Sequence, residues 1–297
     1  MNTAKTTVFL GMALLLTACA PVPEHRSLLV VTSIAPIGAW ISAVGGDDVE
    51  VLVLVPPSSN PHTFELTPGQ LRDASRAKLV VLNGAGLEYW SDRLLDNLQD
   101  ANVPVLILSD SVELLQAADT HGSGDAHGHG AGGNPHFWLD PVIAASSVRR
   151  IAGMLSSLLP DKQDSIATRA EVYAAALTKL DSEIANTVHK WSKRRFIGDH
   201  SAWVYFARRY GLEESGVIEA IPGREASARE MSSLIRMMRA ERVDVVFTDK
   251  RRSTRAADIL AEESGARIAR LDPMGLSETG YPDLLRSNVE EMARVMR

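Results

Sequence analysis

Apolar residues along this chain follow two alternating rhythms. Short runs at Leu28–Ile34, Val49–Val55, Lys78–Leu82 and Val103–Leu108 are rich in Val, Leu and Ile and predict buried strands. Between them lie stretches with helical spacing. The first is Pro36–Val44, closed by Gly45-Gly46. The second opens on Thr67-Pro68, an N-cap threonine with proline at the first helical position, and runs to about Ala77. The third is Glu88–Gln99. Asp140-Pro141 opens a further helix that runs to Leu159. Residues 162–191 then carry apolar side chains at Ile166, Ala170, Tyr173, Leu177, Leu180, Ile184, Val188 and Trp191, spaced by three and four throughout. That spacing predicts one amphipathic helix. About 30 residues rising 1.5 Å each give roughly 45 Å, enough to run the length of two lobes. The first rhythm returns with strands at Phe196–Gly198, Gly216–Ala220, Val243–Thr248 and Ala266–Leu271. Helices at Ser201–Tyr210, Ser227–Glu241, Ser253–Glu263 and Tyr281–Met296 alternate with them.

This order predicts an α/β protein: two (β/α) lobes, each with a mainly parallel sheet, joined by one long helix. The expected lobes are 28–160 and 192–297, with the linking helix at 161–191. Residues 1–18 read as a signal peptide, with Lys5 ahead of the apolar run Val8–Leu16, which is too short to span a membrane. Leu16-Thr17-Ala18-Cys19 matches the lipobox of bacterial lipoproteins, so the mature chain is expected to begin at an acylated Cys19. Residues 19–27 would then tether an extracytoplasmic monomer to the membrane by its lipid. Cys19 is the only cysteine, which excludes an intrachain disulfide, and the net charge of −6 gives no basic footprint for nucleic acid.

In open α/β lobes, ligands bind beyond the carboxyl ends of the strands. Four candidate metal ligands stand at or near such positions, two in each lobe. His62 follows Val49–Val55 in Asn-Pro-His-Thr-Phe-Glu; His136 lies in Asn-Pro-His-Phe-Trp-Leu-Asp-Pro; His200 follows Phe196–Gly198; Asp272 follows Ala266–Leu271. The triplet Asn-Pro-His occurs twice, at 60–62 and 134–136. Proline there restricts the residue before it, so the loop loses less entropy on closing around an ion. Three imidazoles and a carboxylate suit tetrahedral Zn²⁺. Just ahead of His136 a Gly- and His-rich stretch holds His121, His127 and His129, read as an auxiliary zinc-capture loop. Glu65 is expected to fix the His62 loop from the second shell.

These motifs resemble those of the zinc/manganese ABC-transporter solute-binding lipoproteins, cluster A-I, and most of all their zinc-uptake branch. The resemblance covers essentially the whole mature chain. It rests on the segments at 60–68, 134–141, 200–212, 222–231 and 245–275. It implies two α/β lobes joined by a rigid helix, with the metal in the cleft between them. The ligands it implies are His62, His136, His200 and Asp272, the partner a membrane permease with its cytoplasmic ATPase, and the activity transport rather than catalysis. Histidine at the third position favours Zn²⁺, with Mn²⁺ as the alternative cargo. This chain departs from the family pattern at Asn60 and Asn134, where Asp is frequent, at Ser201–Val204, and at Asp249–Arg252. The basic run Lys250–Arg255 is read as a solvated turn and helix start.

A rival of another class is a surface-anchored zinc hydrolase or an adhesin. Catalytic zinc keeps an open position and a nearby base. The chain has neither a His-Glu-x-x-His motif nor a Gly-x-Ser-x-Gly elbow.

Overall fold

The computed structural model describes residues 27–116, 133–221, 223–252, 255–275 and 280–297. Cys19 and His121, His127 and His129 lie outside the described residues.

Two four-stranded sheets, each wholly parallel, hold the chain. The first comprises β1 (Leu28–Thr32), β2 (Val49–Val53), β3 (Leu79–Leu82) and β4 (Val105–Ile107) in the order β2-β1-β3-β4. The second comprises β5 (Arg195–Gly198), β6 (Glu213–Val217), β7 (Val245–Asp249) and β8 (Arg267–Leu271) in the order β6-β5-β7-β8. The two lobes thus repeat one topology, and each reverses direction beside its first strand, where an open sheet leaves a crevice. Strands β3 and β7 are buried along their whole length, which accounts for their unbroken apolar runs.

Helices α1 (Ala35–Gly45), α2 (Pro68–Ser75) and α3 (Ser91–Asp100) belong to the first sheet. Thr67 caps α2 in a reciprocal box with Gln70, as the Thr-Pro pair predicted. Helix α3 starts three residues later than expected. Glu88 is instead drawn back into the preceding turn, where its carboxylate accepts the backbone N–H groups of Asn83 and Gly84, each at 2.9 Å. Helices α6 (Val204–Tyr210), α7 (Ala228–Glu241) and α8 (Arg255–Ser264) flank the second sheet, and α9 (Tyr281–Met296) closes the chain. Strand β6 lies upstream of its expected place. Glu213 and Glu214 look too polar for a strand, yet Glu214 is half-buried in it, with its Oε1 shut off from solvent.

Between the sheets run α4 (Pro141–Leu158) and the long α5 (Gln163–Val188). Helix α5 has 26 residues, about 39 Å at the usual rise. It buries Ile166, Ala170, Ala174, Leu177, Leu180, Ile184 and Val188, with Ala174 taking the core position expected of Tyr173. It packs on α4 along its length, on α1 of the first lobe and on α9 of the second. One apolar core therefore runs unbroken from Val30 in β1 through α4 and α5 to Met296. Trp40 meets Tyr281 edge to face at 5.2 Å across it, and the Tyr281 hydroxyl donates to the Trp138 carbonyl at 2.5 Å. The Trp138 indole N–H donates to the Pro273 carbonyl at 2.8 Å. A core shared in this way ties the lobes together rather than leaving a loose hinge. Among the described residues no helix is long and apolar enough to cross a membrane.

Candidate metal centre

Three histidines from distant parts of the sequence meet between the lobes. One nitrogen from each of His62, His136 and His200 lies within 4.8 Å of the others. His62 Nε2 stands 3.1 Å from His136 Nε2. The rings are mutually tilted, with centroids 5.0 to 5.9 Å apart, so they converge on a point rather than stack. His136 and His200 are almost fully buried, and His62 is half-buried.

The local chain explains each position. In both Asn-Pro-His triplets the asparagine side chain accepts the backbone N–H of the histidine two residues on, Asn60 Oδ1 at 3.0 Å and Asn134 Oδ1 at 2.9 Å. The proline restricts the residue before it, and the asparagine closes the turn. His136 then opens a 3₁₀ turn, His136–Leu139, which leads through the N-cap Asp140 into α4. Asp140 Oδ1 accepts Val142 N–H at 2.8 Å and Ile143 N–H at 3.3 Å. His200 sits two residues beyond β5, whose last residue must be small. A Cβ on Gly198 would meet the His200 carbonyl oxygen at 2.7 Å and Glu214 Oε1 at 2.8 Å. Residues 199–203 form this ligand loop, which is why α6 begins at Val204 rather than at Ser201.

Two of the rings are oriented from behind. His136 Nδ1 lies 3.0 Å from Asn134 Oδ1, and His200 Nδ1 lies 2.7 Å from Asp199 Oδ1. Both oxygens are acceptors, so each ring places its hydrogen on Nδ1 and offers the lone pair of Nε2 to the cleft. Burial alone would raise the Asp199 carboxyl; the adjacent His200 and the charge of Arg252 outweigh it and hold Asp199 below the usual carboxylate range. Asn134 also reaches across the lobes. Its Nδ2 donates to the Ser201 carbonyl at 2.6 Å, and its own carbonyl accepts the Tyr205 hydroxyl at 2.7 Å. Neither Asn134 nor Asp199 stood out in the sequence as a ring holder. The signal was present in their spacing, one or two residues before a ligand.

The atoms that meet within 4.8 Å of one another are those of the three histidines, and Asp272 follows β8 on a loop of the second lobe. It is buried, and its Oδ1 accepts the N–H groups of Met274 at 3.0 Å and Gly275 at 2.8 Å. Asn288 of α9 clamps its backbone from both sides, by Oδ1 to the N–H at 2.7 Å and by Nδ2 to the carbonyl at 2.6 Å. Its neighbours Pro273 and Met274 line the cavity over the histidines, a space of about 120 Å³. Glu65 is exposed and does not line that cavity; the groups that hold the ligand rings are Asn134 and Asp199.

The reading of Lys250–Arg255 as a solvated turn and helix start holds for Lys250 and for Arg255, which is exposed and opens α8, and fails for Arg251 and Arg252. Arg251 and Arg252 expose only 8% and 17% of their side chains and line the cavity. Each is drawn inward by a carboxylate, Arg251 by Asp249 and Arg252 by Glu219. The run reads as surface in one dimension, where nothing shows that Arg251 folds back on Asp249 or that Arg252 finds Glu219, 33 positions away.

Similarity to known proteins bears on this geometry. The profile of the family described as zinc-uptake complex component A, periplasmic (ZnuA), matches residues 30–295. The high-affinity zinc uptake system protein ZnuA of Bacillus subtilis is 28% identical over 275 residues, covering 89% of this chain and 86% of that one. A zinc-bound crystal structure of a ZnuA deletion mutant superposes with a TM-score of 0.79 at 29% identity, over 91% of this chain and 98% of that one. The solute-binding protein FpvC of Pseudomonas aeruginosa, solved in complex with Mn²⁺, superposes with a TM-score of 0.79 at 25% identity, over 91% of this chain and 98% of that one. The match spans both lobes and the helix between them, and this chain belongs to the family of the periplasmic zinc-uptake complex component A.

Proposed function

We propose that this protein is the extracytoplasmic binding component of an ABC transporter. It captures Zn²⁺ in the inter-lobe cleft and delivers it to a membrane permease driven by a cytoplasmic ATPase. The convergence of His62, His136 and His200, with two rings turned by Asn134 and Asp199, carries this reading. Imidazole nitrogen is a ligand that zinc favours, and the outer contacts fix the tautomer the ion requires. Asp272 is the proposed fourth ligand, on a loop already clamped by Asn288. Four protein ligands close the coordination sphere and leave no site for an activated water, so the role is transport without a bond-making step. An acylated Cys19 would tether the chain, a monomer, at the membrane, and His121, His127 and His129 would serve as an auxiliary capture loop.

The test is competitive binding of Zn²⁺ and Mn²⁺ by the mature protein. One tightly held zinc per chain is expected, with H200A weakening it by more than about 100-fold and D272A weakening it less. Turnover of model esters or peptides by the zinc-loaded protein would overturn the transport reading. Mn²⁺ is the second reading, favoured by the likeness to a manganese-bound solute-binding protein. A preference for Mn²⁺ in the competition would establish it.

A further inference from the structure

We propose that Arg251 is a latch across the mouth of the cleft, which sets how fast the bound ion leaves. The inference rests on the metal-binding reading of the three-histidine site.

Arg251 belongs to the second lobe, just beyond β7. Its Nε donates to Asp249 Oδ1 at 2.9 Å, its backbone N–H donates to the same oxygen at 2.9 Å, and its Nη2 donates to Asp249 Oδ2. The guanidinium is thereby fixed in direction, and the Asp249 carboxylate cancels a charge that would otherwise repel a divalent cation. The remaining arm, Nη1, crosses to the first lobe and donates to the Ser59 carbonyl at 3.3 Å. Ser59 lies three residues before His62, in the turn that Asn60 closes on the His62 N–H.

The other end of this contact reaches a second ligand. The Asp249 backbone N–H donates to Asp199 Oδ2 at 2.8 Å, and Asp199 Oδ1 holds the His200 ring and its N–H, both at 2.7 Å. One hydrogen-bonded path therefore runs from the His62 turn, through Ser59, Arg251, Asp249 and Asp199, to His200. Asn60, Pro61 and Arg251 line the same cavity as the three histidines, and the latch places the arginine on the path by which an ion leaves. The shared core behind the histidines holds the lobes together at the back. The Arg251–Ser59 contact does the same on the side of the cavity, through a single hydrogen bond. Arginine suits this role because its planar fork grips a carboxylate while leaving one arm free; lysine gathers its donors on one nitrogen and lacks the spread that reaches both sides.

The experiment is the rate of zinc release from the full mature protein into excess chelator, measured by stopped flow, with association rate and metal-free melting temperature measured alongside. R251K keeps the charge beside Asp249 and gives up the crossing bond. It should release zinc about tenfold faster, with association, stoichiometry and melting temperature near the parent's. R195K, whose parent arginine pairs with Glu213 in its own lobe and does not line the cavity, should release at the parental rate. A destabilised R251K is replaced by the neutral pair D249N/R251Q, for which fast release supports the latch and parental release overturns it. Release from R251K within twofold of the parent, or equal acceleration in R195K, overturns the latch and leaves the metal site standing. A parental chain that holds neither zinc nor manganese overturns the site itself, and the latch with it.

Discussion

His62 and His136 bring their Nε2 atoms to 3.1 Å although 74 residues separate them in the chain. At that distance two protonated imidazolium rings would repel, while two neutral rings share either one hydrogen or one metal ion. Acid should therefore release the ion, because protonation removes the lone pairs that bind it. Zinc binding measured by competition between about pH 7.5 and about pH 5, across the ordinary histidine range, should fall steeply toward the acid end. A flat profile would mean that the ion is held mainly by carboxylates.

Asn134 closes the turn at His136, orients its ring and reaches Ser201 in the other lobe. N134A removes all three contacts. It should weaken zinc by about 10- to 100-fold, the usual cost of losing an outer-shell partner. Isothermal titration would read the loss, and a tenfold change corresponds to about 1.4 kcal/mol.

The described residues on either side of the Gly- and His-rich stretch are joined to each other and to Tyr205 without any of its histidines. The Asn134 N–H donates to the Leu115 carbonyl at 2.6 Å, and the Leu115 N–H donates to the Tyr205 hydroxyl at 3.0 Å. The triple variant H121A/H127A/H129A should therefore keep the main site within about threefold of the parent's affinity, under 1 kcal/mol. Any weaker second zinc seen at high metal concentration should vanish with it. Loss of the tight site in this variant would make the loop part of the primary centre.

Glu214 gives a pH dependence of stability unrelated to metal. Burial pushes its carboxyl up to about 8, against a bond from the Ser201 hydroxyl to Oε2 and a further upward push from Asp199. The Ser201 bond is 2.5 Å long, and Oε1 is buried with no hydrogen-bond partner. The folded value lies above the unfolded one, so the folded state keeps a proton that the unfolded state has released. Stability from this group is complete below the unfolded value of 4.5 and is lost as pH rises toward about 8. E214Q, neutral at every pH, should flatten the slope of metal-free stability by on the order of 1 kcal/mol per pH unit across that window. Urea unfolding at intervals from about pH 5 to about pH 8 reads the slope; an unchanged slope would place an ionised carboxylate in the core.

The period of apolar residues was enough to specify two α/β lobes and a long helix, because buried parallel strands and one-sided helices each leave a repeat that burial enforces locally. The Asn-Pro-His triplets and the loop after β5 marked His62, His136 and His200, because a turn that presents a ligand is built from neighbours in the chain. What lies across the cleft was not written locally. Asn134 to Ser201, Trp138 to Pro273 and Arg251 to Ser59 each join residues at least 67 positions apart. Their partners are chosen by how the two sheets are docked, which no local pattern encodes. Arg251 and Arg252, Glu213 and Glu214 look like surface in sequence, although the Arg251 and Arg252 side chains are largely shielded and Glu214 Oε1 is buried. A charged side chain is shielded from water only where a partner satisfies it or where it gives up its charge, and tertiary structure decides which.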